Sequence, residues 1–243
     1  MAVDAREFRR WAESVGLPSA VATLARTLDV SRATLQAQFV RGRVAEQTVV
    51  TAARAAGTGP VAALSAFSDF AGLADRVTLP TVAELLSQTT YIDVSMEVVA
   101  RIAGPLGEVG DRYPEPPLPT LDGVRSWFNA VDDGELRRRV SEAAGIVPQG
   151  LSTSLTDNKL RPQLAVLAAD LAGVSAASGL VVTGLVTPEE GGWPAHARRG
   201  ALAGLGELEL IEHMTERSRH AARIVGRAVE EQARVQKFRD TLG

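Results

Sequence analysis

Apolar residues recur every three or four positions along most of the chain, and no long segment alternates apolar and polar residues. The first pattern is typical of amphipathic helices, and alternation would be typical of half-buried strands. We therefore predict an all-α protein. The predicted helices of the first half lie near 6–16, 19–28, 31–41, 46–56 and 60–74, and a longer helix ends near 103. Counterparts of these helices are predicted in the second half, where the last helix spans about 205–241.

The pattern occurs twice. When Phe8 is placed over Val124 without gaps, Trp11 coincides with Trp127, two of the three tryptophans. A fixed repeat of this kind indicates internal duplication, and chance similarity between two Ala-rich helical segments is the alternative. A later match, residues 96–104 with 218–226, requires a short insertion in the second copy. The gapless alignment also pairs Leu35 with Leu151, Gln47 with Gln163, Val50 with Val166, Gly57 with Gly173 and Leu64 with Leu180.

The stretch "LARTLDVSRATLQAQFVRGR", residues 24–43, has the layout of a helix-turn-helix. Leu24, Ala25 and Leu28 supply a buried brace, and "DVS" supplies a tight turn. Leu35 and Phe39 are predicted to bury one side of the second helix, which we call the reading helix. Its opposite side is then free to face a DNA groove.

The outer side of the reading helix carries residue types that bind DNA. Arg and Gln make paired contacts to guanine and adenine edges, and hydroxyl side chains contact phosphates. Ser31 also stands where it can cap the helix. A plain solvated helix pair is the alternative. The DNA-binding residues predicted here are Ser31, Arg32, Ala33, Thr34, Gln36, Gln38, Arg41 and Arg43.

The longer stretch "LARTLDVSRATLQAQFVRGRVAEQTVVTAARAAG" resembles the Cro/C1 (XRE) helix-turn-helix class of phage repressors and bacterial regulators. The resemblance lies in "LAxxLxVSxxTL", a Gly after the reading helix and a following helix of the "ExxxxxARAxG" type, over roughly residues 8–67. It implies a lambda-repressor-like fold and a DNA-binding function. The segment from Leu35 to Gly42 is one residue longer than the commonest form, which can shift the base-contacting positions by one.

The second half resembles the same class in "AAGIVPQGLSTSLTDNKLRPQLAVLAADLAGV". Between Phe8 and Gly57 seven arginines stand against three acids, whereas the corresponding part of the second half has six basic and six acidic residues. We therefore expect the second reader to bind DNA weakly, or only once the first has docked. Its predicted DNA-binding residues are Gln149, Ser152, Thr153, Asn158, Lys159 and Arg161.

A Pro- and Gly-rich stretch, "GPLGEVGDRYPEPPLPTLDG" over residues 104–123, separates the two copies and is predicted to be a linker. The chain is thus predicted to hold two tandem lambda-repressor-like helix-turn-helix units. The first unit with its trailing helices covers 1–104, the linker covers 105–123, and the second unit with a long C-terminal helix covers 124–243.

The last predicted helix carries apolar residues in a seven-residue repeat, interrupted by Arg239. Such a repeat is typical of coiled coils. One alternative is packing against its own domain; the other is contact between the two copies or with a second chain. The residues predicted for self-association are Ile211, Met214, Ala221, Val225, Ala228 and Val235.

Other features bear on location and chemistry. The chain has no cysteine, its first residues carry charges where an export signal would be apolar, and its run 164–186 contains Asp170 and a "GVSAAS" turn. We expect a cytoplasmic, nucleoid-associated protein, with that run forming two buried helices instead of a membrane span. His213 and His220 lack a third strong ligand nearby, and no Gly-rich phosphate loop follows a strand. No metal, cofactor, small-molecule ligand or catalytic residue is predicted.

Together these features predict a sequence-specific regulator of transcription, repressor-like, that binds double-stranded DNA with two readers in one chain acting as a pseudo-dimer. Because the exposed residues of the two readers differ, an asymmetric, bipartite target is expected. The alternative is a protein-interaction module, such as an antirepressor or antitoxin-like partner. The net charge of -3 and the neutral second half favour that alternative.

Overall fold

The computed structural model describes residues 2–102 and 115–242. Within them the chain is mainly helical and contains one antiparallel pair of two-residue strands, so the all-α prediction is confirmed. The predicted linker over 105–123 lies partly outside the described residues. No helix among the described residues combines the length and the apolar character that crossing a membrane would need.

The first half contains β1 (Val3–Asp4), α1 (Ala5–Ser14), α2 (Val21–Thr27), α3 (Arg32–Val40), β2 (Arg43–Val44), α4 (Glu46–Ala55), α5 (Pro60–Ser65), α6 (Val82–Ser87) and α7 (Tyr91–Ile102). The second half contains α8 (Gly123–Val131), α9 (Leu136–Ala144), α10 (Pro148–Thr156), α11 (Pro162–Ala172), α12 (Ser178–Val182), α13 (Ala197–Ala203) and α14 (Glu207–Leu242).

The described residues group into two compact units, each built from two separate stretches of chain. The large unit combines Met1–Gln88 with Pro117–Ala195, and the small unit combines Thr89–Pro116 with His196–Gly243. This grouping differs from the division predicted in chain order. One reason is that α6, late in the first half, packs on α8, the first helix of the second half.

The N-terminus is held beside the end of α3. β1 pairs with β2, which places Val3 opposite Val44, and both side chains are fully buried. Asp4 then caps α1, because its carboxylate accepts hydrogen bonds from the backbone N–H groups of Arg6 at 2.8 Å and Glu7 at 3.1 Å. The start of the chain therefore braces the segment that leaves the reading helix.

The helix predicted over 60–74 is wrong beyond Ser65. Two short 3-10 turns follow, at Ser68–Phe70 and Ala74–Arg76, and Gly72 between them has φ +69°. Phe67, Phe70 and Leu73 are buried. Their spacing of three fits 3-10 turns as well as an α-helix. The apolar pattern therefore predicted a helix where two 3-10 turns occur.

The apolar run 164–186 forms two helices that meet at a turn, as predicted. α11 ends at Gly173, whose left-handed φ of +70° stops the helix, and α12 begins at Ser178. Glycine takes this conformation without steric cost.

The small unit is formed by α7, α13 and α14. Val94 and Leu210 are its most buried residues on α7 and α14. Arg101 donates hydrogen bonds to the backbone oxygens of Leu202 at 3.1 Å and Ala203 at 3.2 Å. These carbonyls end α13, so the cation stabilises a helix C-terminus.

Candidate nucleic-acid interface

The turn between α2 and α3 is tight because Asp29 takes a left-handed conformation, with φ +51°. The backbone N–H of Val30 then donates to Ala25 O at 3.0 Å. This is the hydrogen bond that closes a helix C-terminus when the next residue turns back. Leu24, Ala25 and Leu28 are buried, as predicted for the brace.

Ser31 caps the reading helix, as predicted. Its Oγ accepts a hydrogen bond from Thr34 N at 3.0 Å and lies 2.7 Å from Thr34 Oγ1. Leu35 is fully buried and fixes the rotation of α3 about its axis. Arg32, Ala33 and Gln36 are exposed, together with Ser31 and Thr34. Arg32 and Gln36 lie four residues apart, so they are neighbours on one side of the helix.

Gln38 lies apart from these exposed residues. It is half-buried, its Oε1 accepts a hydrogen bond from Ala45 N at 2.9 Å, and its Nε2 donates to Thr48 Oγ1 at 3.2 Å. The amide ties α3 to the first turn of α4, so the predicted DNA contact by Gln38 is replaced by a structural role.

The two arginines after the helix also have partners within the chain. Arg41 is exposed and its Nε donates to Ala37 O at 3.0 Å. Arg43 is exposed as well, and its Nη1 donates to Ala2 O at 2.8 Å and pairs with Asp69 at 3.3 Å. A phosphate would therefore have to share or displace the Asp69 contact to reach Arg43.

Three further arginines, not among the predicted site residues, belong to the first half of the large unit. Arg9, Arg10 and Arg26 are exposed, and the Arg9 guanidinium carbon lies 4.3 Å from the centroid of the Phe39 ring on α3. Among the described residues, none of these three, nor Arg32 or Arg41, forms an ion pair with a carboxylate. The excess of arginine in this stretch was the signal in the sequence that could have identified them.

The second half presents α10 in a comparable setting. Gly145, with φ +62°, ends α9, and Leu151 and Leu155 bury one side of α10. Gln149, Ser152 and Thr153 are exposed, as are Lys159 and Arg161 after the helix. Thr153 Oγ1 donates to Gln149 O at 3.0 Å. The polar face is therefore present but carries no arginine on the helix itself.

Asn158 does not belong to this face. It is half-buried with a left-handed φ of +54°, its Oδ1 accepts from Val124 N at 2.8 Å, and its Nδ2 donates to Thr120 O at 3.1 Å. Both ends of the amide are used to hold the end of α10 against the start of α8. The predicted DNA contact by Asn158 is thus replaced by a structural role.

The arginines of α9 are neutralised by nearby carboxylates. Arg138 lies between Glu135 at 2.7 Å and Glu142 at 2.9 Å, and these carboxylates raise its pKa. Arg139 pairs with Asp133 at 2.6 Å; the backbone N–H of Glu135 is the main cause that lowers the pKa of Asp133. Unlike the first half, the second half therefore offers little unbalanced positive charge beside its reading helix.

On α14 the residues predicted for self-association are divided between two sides. Ile211, Val225, Ala228 and Val235 are exposed, whereas Met214 and Ala221 are half-buried. Met214 Sδ accepts a weak hydrogen bond from Ser95 Oγ on α7 at 3.7 Å. Packing inside the small unit accounts for Met214, and self-association through the other residues stays a prediction.

Comparison of the chain with models of known protein families, with curated protein sequences and with solved structures finds no match.

Proposed function

We propose that the chain is a sequence-specific regulator of transcription, repressor-like, that binds double-stranded DNA through two helix-turn-helix copies. The exposed face of α3, with Arg32, Ala33 and Gln36 on a helix that Leu35 anchors and Ser31 caps, carries the proposal. A rigid helix with exposed Arg and Gln near its N-terminus suits major-groove contact, since these side chains match guanine and adenine edges.

Electrostatics support α3 as the main reader. Six arginines on α1, α2, α3 and the end of α3 are exposed and form no ion pair with a carboxylate among the described residues: Arg6, Arg9, Arg10, Arg26, Arg32 and Arg41. DNA binding neutralises phosphates with such cations and releases counterions. The net charge of -3 is consistent with binding at one local site, and argues against general attraction to nucleic acid.

The order and spacing of helices support duplication of the unit. α3 begins at Arg32 and α10 at Pro148, which is 116 positions later. α4 and α11 keep this separation, from Glu46 to Pro162, as do α7 and α14, from Tyr91 to Glu207. The short insertion expected from the match of 96–104 with 218–226 is therefore not needed.

The left-handed residues repeat with the same separation of 116 positions. Asp29 corresponds to Gly145, Gly42 to Asn158, and Gly57 to Gly173, and all six have φ between +51° and +70°. Two of these three pairs differ in residue type. Shared Ala-rich composition does not account for a match in backbone conformation, whereas descent from one unit does.

The proposed mechanism is occupancy. The first copy supplies most of the phosphate and base contacts, and the second copy extends the target with Gln149, Ser152 and Thr153. A bound regulator of this kind blocks or recruits polymerase and performs no chemistry of its own.

The test is selection of bound DNA from a random pool, followed by measured affinities of variants. Arg32→Ala and Gln36→Ala should each weaken binding to the selected DNA by about 5- to 150-fold, which corresponds to ~1–3 kcal/mol per base contact. Random DNA should be affected much less. Arg227→Ala and Gln47→Ala remove the same groups from exposed positions on α14 and α4 and serve as controls. Equal losses on selected and random DNA would contradict base reading by α3.

The ion-paired arginines of α9 favour a second candidate, a protein-interaction module that uses the fold without binding DNA. Such a module would leave the whole pool unshifted at low salt in a gel-shift experiment, while circular dichroism shows the protein to be folded.

A further inference from the structure

We infer that the two reading helices are related by an approximate two-fold axis inside the large unit. This inference rests on the proposed function when it is extended to DNA: the target is then two dissimilar half-sites in inverted orientation at one fixed spacing. Both reading helices belong to the same compact unit, so their relation is built into its packing.

The first support is a pair of mirrored ion pairs between the two halves. Arg54 makes two hydrogen bonds to the Glu190 carboxylate, each 2.7 Å long, and Arg76 pairs with Asp170. With the separation of 116 positions, Arg54 corresponds to Asp170, and Glu190 corresponds to Ala74, two positions before Arg76. Exchanging the halves therefore carries the Arg54–Glu190 pair onto Asp170 and a position two residues from Arg76, with the charges reversed. In a two-fold interface every contact recurs in this way.

The second support comes from two contacts in which a residue touches the counterpart of its own neighbour in sequence. Glu46 accepts a hydrogen bond from Gln163, and Gln163 corresponds to Gln47. Val77 comes within 3.1 Å of the position that a Cβ on Gly192 would take, and Gly192 corresponds to Arg76. Only residues near a two-fold axis can touch their own counterparts. The axis therefore passes close to the first turns of α4 and α11.

The symmetry is approximate. α6 packs on α8, and its Glu84 accepts a hydrogen bond from Trp127 Nε1 at 3.1 Å. The helix that corresponds to α6 by position, α13, belongs to the small unit. The readers also differ chemically, because Arg32, Ala33 and Gln36 correspond to Pro148, Gln149 and Ser152.

The arrangement has a direct consequence for DNA. The sugar-phosphate backbone of a duplex has local two-fold symmetry, so two-fold related readers meet half-sites of opposite orientation. Gln38, near the C-terminal end of α3, is hydrogen-bonded to Ala45 and Thr48 at the first turn of α4. We therefore expect the C-terminal ends of α3 and α10 to lie closer to the axis than their N-terminal ends. The spacing is set by side-chain packing and ion pairs within one unit, so we expect the chain to tolerate one spacer length.

Spin labels test the symmetry without DNA. The chain has no cysteine, so labels attach only at introduced ones, and Ala33, Val40, Gln149 and Thr156 are all exposed. The axis exchanges two double variants. One combines Ala33→Cys with Thr156→Cys, and the other combines Val40→Cys with Gln149→Cys. Pulsed electron spin resonance should give the same distance for both.

Pairs of labels at corresponding positions of the two halves complete the measurement. The distance between labels at 40 and 156 should be shorter than the distance between labels at 33 and 149. If the two copies were instead related by translation, the distances 33–149 and 40–156 would be equal. The distances 33–156 and 40–149 would then differ by up to about 20 Å, because seven residues of helix span about 10 Å. Unequal exchanged pairs would overturn the two-fold relation.

DNA binding tests whether the two half-sites are inverted and at one fixed spacing. From the selected sequence, one duplex keeps its arrangement, a second has one half-site reversed, and a third has one extra base pair between the half-sites. Each change should weaken binding at least tenfold, and equal affinity for all three would overturn inverted recognition. If the pool stays unshifted, the proposed function is wrong, and so is recognition of inverted half-sites. The label distances still decide whether the two reading helices are two-fold related.

Discussion

Asn158 holds the second reading helix through both ends of its amide, and its left-handed backbone suits Asn or Gly. Asn158→Gly should destabilise the fold by about 1–3 kcal/mol, because the half-buried N–H of Val124 loses its acceptor. Asn158→Ala should cost about 1 kcal/mol more, since alanine disfavours this conformation.

Urea unfolding measures both variants of Asn158. Lys159→Ala, at the exposed neighbouring position, is the matched control and should leave the free energy of unfolding almost unchanged. If both Asn158 variants kept wild-type stability but lost DNA affinity, the original prediction of a DNA contact would be restored.

We expect His213 to make the stability of the small unit depend on pH. Its Nε2 lies 2.8 Å from Thr89 Oγ1, and burial, with a further contribution from Arg217, lowers its pKa below the ordinary 6.5. The unfolded chain therefore binds the proton first as pH falls below about 6.5, and stability rises with pH across that window. The urea midpoint should be lower at pH 5.5 than at pH 7.5, a window chosen to bracket the ordinary His value.

The matched variants for this effect are His213→Gln and His196→Gln. The first removes the buried imidazole and should reduce the difference between the two midpoints, and the second removes an exposed imidazole and should keep it. An unchanged pH dependence in His213→Gln would contradict the assignment.

Trp127 illustrates why some residue roles were not predictable. The alignment paired it with Trp11, yet only Trp127 is fully buried and donates to the buried carboxylate of Glu84. Trp127→Phe should cost about 1–3 kcal/mol, because Glu84 loses one donor while remaining buried. Trp11→Phe, whose ring packs 5.7 Å from that of Phe67, is the matched control and should cost less. Thermal unfolding compares the two, and equal losses would contradict a special role for the Glu84 contact.

At the scale of elements, local signals were sufficient for the readers. The predicted helices over 31–41 and 46–56 match α3 and α4 to within one residue at each end. Regular apolar spacing and a following Gly mark both helices, and a Ser cap marks the start of α3. The segment 60–74 lacked such agreement, and α5 ends where Phe67, Phe70 and Leu73 begin a spacing of three. A spacing of three does not distinguish short 3-10 turns from an α-helix.

The candidate site was predictable only in part for a physical reason. Which residues face outward follows from helix periodicity, and Arg32, Ala33 and Gln36 are exposed as that periodicity predicts. Whether a polar side chain is already bonded depends on partners distant in sequence. Thr48 binds Gln38 and Thr120 binds Asn158, and no local pattern indicates either contact.

At the scale of the whole molecule, the distribution of ion pairs determines how binding responds to salt. Arg26 is exposed with no carboxylate partner among the described residues, so if it contacts a phosphate, Arg26→Ala should reduce the slope of log affinity against log salt by about 1. Arg138, held between Glu135 and Glu142, is the matched control, and Arg138→Ala should leave the slope unchanged. Affinities measured over a series of salt concentrations decide the matter, and a larger effect from Arg138 would reverse the proposed order of the two readers.

The assembly of the large unit from both halves was beyond sequence patterns. The sequence composition does not reveal that α6 packs against α8. That packing depends on the fit between Glu84, Gln88 and the start of α8, where Gln88 donates to Gly123 O at 2.8 Å. Contacts of this range are specified by shape and by polar complementarity, and neither has a periodic signature.

Arg54 and Asp170 occupy corresponding positions and carry opposite charges. Each half therefore needs a partner of opposite charge, which the other half supplies. If two first halves from different chains associated in the same way, Arg54 would face Arg76, and two second halves would bring Asp170 against Glu190. Like charges brought together disfavour such pairing. Association of a first half with a second half is thus favoured over association of two like halves.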